Sequence, residues 1–158
     1  MSNMTNPMNG LKSLQDQLNN GIYLRPCELY SELKMYVDKQ DGSHRFTYAR
    51  VESGIIKSLT ILIPAEPLNG KPCFSIGYAT REEFQGNGLA SEVVEKSINE
   101  LKNGLQRNNI KEFYIEAVIG VENISSQKVA NKIISNEREQ IVDVVSGEDA
   151  YCYKRLVI

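Results

Sequence analysis

Gln85-Gly86-Asn87-Gly88-Leu89-Ala90 is the stretch on which the reading of this 158-residue chain turns. It follows an apolar run over residues 73–80 that reads as a strand, and it opens the clearest helical pattern in the chain, residues 87–103. In that pattern Leu89, Ala90, Val93, Val94, Ile98 and Leu101 form one stripe, with Glu92, Glu95, Lys96, Glu100 and Lys102 off it. Glycines between a strand and a helix let the backbone approach a ligand closely. The helix start adds unpaired N–H groups and about half a positive charge, so the turn can hold a pyrophosphate through main-chain donors alone.

Spacing separates the phosphate-loop readings. A P-loop needs Gly-x-x-x-x-Gly-Lys-Ser/Thr, and Leu89 rather than Lys follows Gly88. A dinucleotide fingerprint needs an acidic residue about 20 positions on at the end of a strand, where this chain still reads as helix or loop. A turn that merely shapes the entry to a structural helix stays open on Gly-x-Gly alone.

The elements around the turn set its context. Residues 22–25 read as a short strand ending at Pro26, and Leu29, Leu33 and Val37 then recur at helical spacing up to Asp38. Residues 45–51 and 55–63 are β-branched and aromatic runs joined as a hairpin by Glu52-Ser53-Gly54, with Pro64 and Pro67 expected to stop the second strand. With the strand at 73–80 they make a three-strand antiparallel meander. Downstream come a strand at 112–119, a helix at 125–134, and a closing strand pair at 139–145 and 150–157 around Ser146-Gly147. The order β-α-β-β-β-α-β-α-β-β is an α+β class, a mixed, mostly antiparallel sheet flanked by helices. Residues 1–20, with Met1, Met4, Met8 and five Asn, read as a flexible leader; Leu11, Leu14 and Leu18 are their one hint of an amphipathic helix. Residues 21–158 read as a single domain.

Composition excludes several classes of function. Leu, Ile, Val and Phe supply 43 residues, about 27% of the chain and above the roughly 20% below which charged chains stay unfolded. A net charge of −2 gives no basic field for nucleic acid or an anionic membrane. Cys27, Cys73 and Cys152 are odd in number and widely spaced, and His44 is the only histidine, so neither a disulfide framework nor a metal site is expected. No stretch approaches the ~18 apolar residues of a membrane span, and no signal peptide is legible at the N-terminus. The expected setting is cytoplasmic and reducing.

The third spacing in the turn is the specific one. Gln85-x-x-Gly88-x-Ala90, preceded by Ile76-Gly77-Tyr78-Ala79-Thr80, resembles the acetyl-CoA pyrophosphate loop of the GNAT superfamily of N-acetyltransferases. The stretch from Ile76 to Glu92 is most similar to the subgroup that acetylates ribosomal-protein N-termini. Ile115-Glu116-Ala117, followed by Asn123-x-x-Ser126-x-x-Val129-Ala130-x-Lys132, is similar to the segment that grips the pantetheine arm, and Asp149-x-x-x-Tyr153 also resembles the subgroup. The likeness runs from Ile76 to the C-terminus.

The resemblance implies acetyl-CoA as co-substrate, no metal, and a set of residue roles. Backbone groups of Tyr78, Ala79 and Thr80 would pair with pantetheine amides and present an N–H to the thioester oxygen. Gln85, Gly86, Asn87, Gly88, Leu89 and Ala90 would take the pyrophosphate, and Asn123 and Ser126 would meet the pantetheine. Ser126 or Tyr153 would protonate the departing thiolate, and Glu116 would draw the proton from the amine through water. On the residues alone, Asn123 is equally an N-terminal helix cap, Tyr78 and Tyr153 are equally packed rings, and Glu116 is equally a solvent-facing strand residue. Two departures stand out. Ala130 occupies the position where the superfamily commonly carries a Tyr acid, and Ile134-Ser135 replaces the usual Gly-Phe.

The implied activity is transfer of acetyl to a primary amine on a protein N-terminus, a lysine or a small molecule, by direct attack in a ternary complex. A domain that binds acetyl-CoA without turnover is the alternative, and a plain structural domain a third. Homodimers are common among similar proteins, and no sequence feature here demonstrates one.

Overall fold

The structure, a computed structural model, describes residues 6–158. Eight strands lie in one sheet: β1 (Arg25–Pro26), β2 (Leu33–Gln40), β3 (Ser43–Glu52), β4 (Ile55–Leu68), β5 (Lys71–Thr80), β6 (Phe113–Gly120), β7 (Glu139–Val142) and β8 (Asp149–Val157). Their spatial order is β1-β2-β3-β4-β5-β6-β8-β7, antiparallel throughout except where β5 meets β6. Three α-helices cover it, α1 (Pro7–Asn19), α2 (Leu89–Gln106) and α3 (Ile124–Ile133), and a 3-10 turn (Glu82–Phe84) links β5 to α2. The expected α+β architecture, a mixed and mostly antiparallel sheet flanked by helices, is the one observed.

Two hydrophobic layers hold the helices on. On one face α2 and α3 enclose Phe74, Ile76, Val93, Val94, Ile98, Phe113, Ile115, Ala117 and Tyr153. Strict alternation along β6 puts Phe113, Ile115, Ala117 and Ile119 inward. On the other face α1 lays Leu11 and Leu14 over Ala49, Leu59, Ile61 and Ala79. Among the described residues no helix is long and apolar enough to cross a membrane.

Three sequence expectations are corrected. The leader reading fails over Pro7–Asn19, which is helix α1, while residues 1–5 lie outside the described residues. Asn6 caps that helix by accepting from the Met8 N–H, and Pro7 occupies its first turn. Leu11 is 1% exposed and Leu14 6%, each burial worth roughly 2 kcal/mol.

The helix expected up to Asp38 is instead an irregular turn followed by strand β2. Glu100, buried on α2, accepts from the Leu29 and Tyr30 N–H groups at 3.0 and 2.8 Å and fixes the turn. Leu33 to Gln40 then pairs residue for residue with Arg50 to Ser43, with Asp38 opposite Arg45 and ion-paired to it at 2.5 Å. The meander therefore has four strands. Pro64 and Pro67 do not stop β4 either. The β3 pairing has already ended at Leu62, so both prolines sit where only β5 is a partner and a missing N–H costs little.

Candidate active site

Strand β5 is paired on both edges at its start and on one edge beyond. Cys73, Phe74 and Ser75 align in parallel with Tyr114, Ile115 and Glu116 of β6, and there the pairing ends. Ile76 to Thr80 stay paired to Leu62 to Ser58 of β4, while Ala117 to Gly120 stay paired to Tyr153 to Ala150 of β8. The two strands diverge, and a cleft of about 520 Å³ opens between them, bounded also by the glycine turn, the start of α3 and the first residues of α1. The inner wall of that cleft is the edge of β5 over Ile76 to Thr80, whose outward main-chain groups have no strand partner.

At the top of the cleft the chain turns into α2. Gly86 and Gly88 both hold φ near +80°, at 82° and 76°, a region that L side chains enter at a cost of about 1–2 kcal/mol. A Cβ built on either would meet nothing within 4 Å. Conformation therefore demands glycine here, and the space beside each is open to a ligand. Gly88 is the N-cap of α2 and offers no capping side chain; the first amide to find a main-chain acceptor is Glu92, on the Gly88 carbonyl. The N–H groups of Leu89, Ala90 and Ser91 thus face the cleft mouth with the positive end of an 18-residue helix behind them. Glu92, the acidic residue of that first turn, is neutralised by Arg50 at 2.7 Å and Lys96 at 3.0 Å. Among the described residues Lys128 is the one charged side chain on the cleft wall.

Of the residues singled out from sequence, Tyr78, Ala79, Thr80, Gln85, Gly86, Gly88, Leu89, Ala90, Asn123 and Ser126 converge on this cleft. Gln85 also braces its own loop, donating from Nε2 to the Thr80 carbonyl at 2.9 Å. Asn123 caps α3, its Oδ1 accepting from the Ser126 N–H at 3.2 Å, which leaves the amide NH₂ as a donor. Tyr78 reaches across the opening and donates its O–H to the Ser126 carbonyl at 2.7 Å. Its phenol is pushed well above its ordinary range, chiefly by burial, then by the neighbouring Tyr153 ring.

Three others do not join them. Asn87 turns inward on its own loop, donating to the Phe84 carbonyl at 3.3 Å. Tyr153 is 1% exposed in the core under α3, its phenol oxygen accepting from Arg138 at 3.2 Å. Glu116 lies below the opening, where β6 is paired to Ser75 on one side and Lys154 on the other.

Two contributions escaped sequence reasoning. Asn6, Pro7 and Met8 form part of the cleft wall, and the Asn-Pro pair that starts a helix was the available signal. Gln127, buried in α3, donates to the Gly120 and Val121 carbonyls at 2.9 Å each and accepts from Arg138 at 3.3 Å, fixing the loop that carries Asn123. No spacing announces it.

A family model described as an acetyltransferase (GNAT) domain matches residues 31–133. The chain belongs to the GNAT acetyltransferase family. Solved GNAT structures with this fold include the acetyltransferase of the GNAT family from Streptococcus pneumoniae, at 14% identity and TM-score 0.53 over 72% of this chain and 67% of that one. Ribosomal L7/L12 alpha-N-protein acetyltransferase in its apo form follows at 22% and 0.52, covering 72% and 61%. Ribosomal-protein-S5-alanine acetyltransferase from Vibrio fischeri stands at 17% and 0.50, covering 72% and 61%. The second of these is also known in complex with coenzyme A. This GNAT chain spans 61–67% of the length of those three relatives. No curated protein sequence matches it.

Proposed function

We propose that the protein is an acetyl-CoA-dependent N-acetyltransferase that moves acetyl to a primary amine by direct attack in a ternary complex. The observation that carries this reading is the unpaired edge of β5 leading straight into the uncapped start of α2. One end of the cleft offers amide donors suited to a pyrophosphate, and its wall offers the alternating donors and acceptors that an extended pantetheine arm needs. At the phosphate end the space beside Gly86 and Gly88 is open to the cofactor.

Acetyl-CoA supplies an activated acetyl thioester, and the chain's residues do the rest. Leu89, Ala90 and the turn from Gln85 to Gly88 hold the phosphates, with Lys128 the adjacent cation. Tyr78, Ala79 and Thr80 bind the arm by backbone and offer an N–H to the thioester oxygen; in other enzymes loss of one such donor costs about 2.7–4 kcal/mol. The Asn123 amide and the Ser126 hydroxyl steady the far side of the arm. Before attack, water passes the ammonium proton of the incoming substrate toward Glu116, the nearest carboxylate along β6, leaving the neutral amine as nucleophile. Burial pushes the Cys73 and Cys152 thiols up to about 11 and the Cys27 thiol up to about 12, and none of the three lines the cleft. A route through an acetyl-cysteine intermediate therefore has no nucleophile here. Residues 21–158 carry this machinery, and α1 adds a wall.

The acceptor classes are a protein N-terminus, as the names of the ribosomal-protein acetyltransferases suggest, a lysine, or a small amine. Ala130, where the superfamily commonly carries a tyrosine, favours a second reading, a domain that binds acetyl-CoA and does not turn it over. One experiment decides: thermal unfolding with and without acetyl-CoA, together with free-thiol release across a panel of peptide and small-molecule amines. Stabilisation with thiol release is expected. Stabilisation without release would establish the sensor, and neither would refute both.

A further inference from the structure

We propose that Tyr78 is the general acid that protonates the coenzyme A thiolate, an assignment that rests on the acetyltransferase reading above. Its phenol is the only one on the cleft wall among the described residues, and it projects from the β5 edge to the first turns of α3. There it lies against the turn of α3 from Ser126 to Ala130. Ala130 is fully buried and brings no polar atom, so this turn takes its only phenol from the opposite wall.

The local chemistry suits an acid that gives up a proton and recovers it. Burial keeps the phenol neutral at working pH, so the proton is present when needed. The resting acceptor, the Ser126 carbonyl, also lies four residues before the Ala130 N–H in α3, so losing the phenol does not orphan it. The Ala130 N–H also favours the ionised phenol, which steadies the phenolate once formed. The other hydroxyls on the cleft wall among the described residues, those of Thr80, Ser91, Ser125 and Ser126, are aliphatic alcohols and weaker acids than a phenol in the same surroundings.

The step balances without a further reagent. The amine nitrogen's lone pair forms the bond to the acyl carbon. The carbon–sulfur bond then breaks, its electron pair leaving on sulfur, and the Tyr78 O–H gives its proton to that sulfur. The nitrogen's surplus proton returns through water to the phenolate, leaving the amide, the free thiol and a neutral Tyr78. Desolvation in the cleft raises the proton affinity of the thiolate as well as that of the phenolate.

Tyr78→Phe keeps the ring and removes the hydroxyl that carries the proton. Thiol release from acetyl-CoA with the best amine of the panel is expected to fall on the order of 100-fold in kcat, with acetyl-CoA affinity by titration calorimetry unchanged. Placing 3,5-difluorotyrosine at position 78 lowers the phenol's pKa, and the alkaline limb of kcat should move to lower pH with it. The fluorine resonance at position 78 should also shift when coenzyme A is added. A Tyr78→Phe protein that keeps most of its kcat, an alkaline limb that does not move, or an affinity loss as large as the rate loss would each overturn the assignment and leave the acetyltransferase reading intact. Failure of the native protein to release thiol with any amine would overturn both.

Discussion

The two halves of strand β5 share one backbone and have opposite fates. Cys73, Phe74 and Ser75 are hydrogen-bonded on both edges, and Phe74 packs edge-on between Phe46 at 6.3 Å and Phe113 at 5.8 Å. Ile76 to Thr80 keep only the β4 edge and turn the other to a cleft. The closed half has its main-chain groups satisfied by protein, so its side chains decide stability. The open half has donors and acceptors to spare, and a ligand can satisfy them. Substitutions in the first should therefore change folding, and those in the second binding.

The largest effect expected is at the seam that closes the lower half. Phe113 is 1% exposed and is a ring that Phe74 meets edge to face. Phe113→Ala should cost about 3–5 kcal/mol in chemical denaturation, combining lost burial with the cavity left behind. Acetyl-CoA affinity of the protein that remains folded should be unaltered. A parallel loss of affinity would show that the seam and the cleft are one unit and erase the distinction between the halves.

Next comes the mouth of the open half. Gly88→Glu forces a side chain into φ +76° and adds a negative charge at the start of α2 where phosphates are expected. Coenzyme A affinity should fall by on the order of 100-fold or more, taking charge repulsion and strain together. Gly88→Ala separates them: it should lower the melting temperature through strain alone and weaken coenzyme A far less. Equal losses from the two variants would mean that backbone conformation, and not charge, governs the site.

The same contrast explains what could be read before the fold was known. The open half and its turn were legible because their chemistry is local: two glycines at φ near +80°, a helix start and a registered Asn123-x-x-Ser126 lie in short contiguous segments. Residues 27–38 misled because Leu29, Leu33 and Val37 satisfy a helical period while Leu33, Met35 and Val37 satisfy a strand period. The choice is made by β3 pairing and by Glu100, some 70 residues away, gripping Leu29 and Tyr30. Helix α1 is likewise held by a distant contact. Gln15 accepts from the Ile56 N–H at 2.8 Å and from Arg81 at 2.7 Å, tying helix α1 to the residue that follows β5 and precedes the glycine turn. Tyr153 looked available because alternation along a strand tells which residues share a face and not which face lies under a helix.

The smallest effect tests how well the closed half excludes water. Burial, assisted by Glu116 and opposed by Lys154, pushes the Cys73 thiol up to about 11. In the unfolded chain the same thiol ionises near pH 8.5. The folded state holds its proton longer, so Cys73 is neutral toward stability below about pH 8 and favours unfolding as pH climbs between the two values. By about pH 9.5 the linkage amounts to roughly 1 kcal/mol. Denaturation of the native protein and of Cys73→Ala, each followed from pH 7 upward, should give curves that converge as pH rises. The native protein has the larger stability at neutral pH through better packing and loses it faster in base. Parallel curves would mean that water reaches Cys73 in the folded state, and that the paired half of β5 is no more sealed than the half that opens on the cleft.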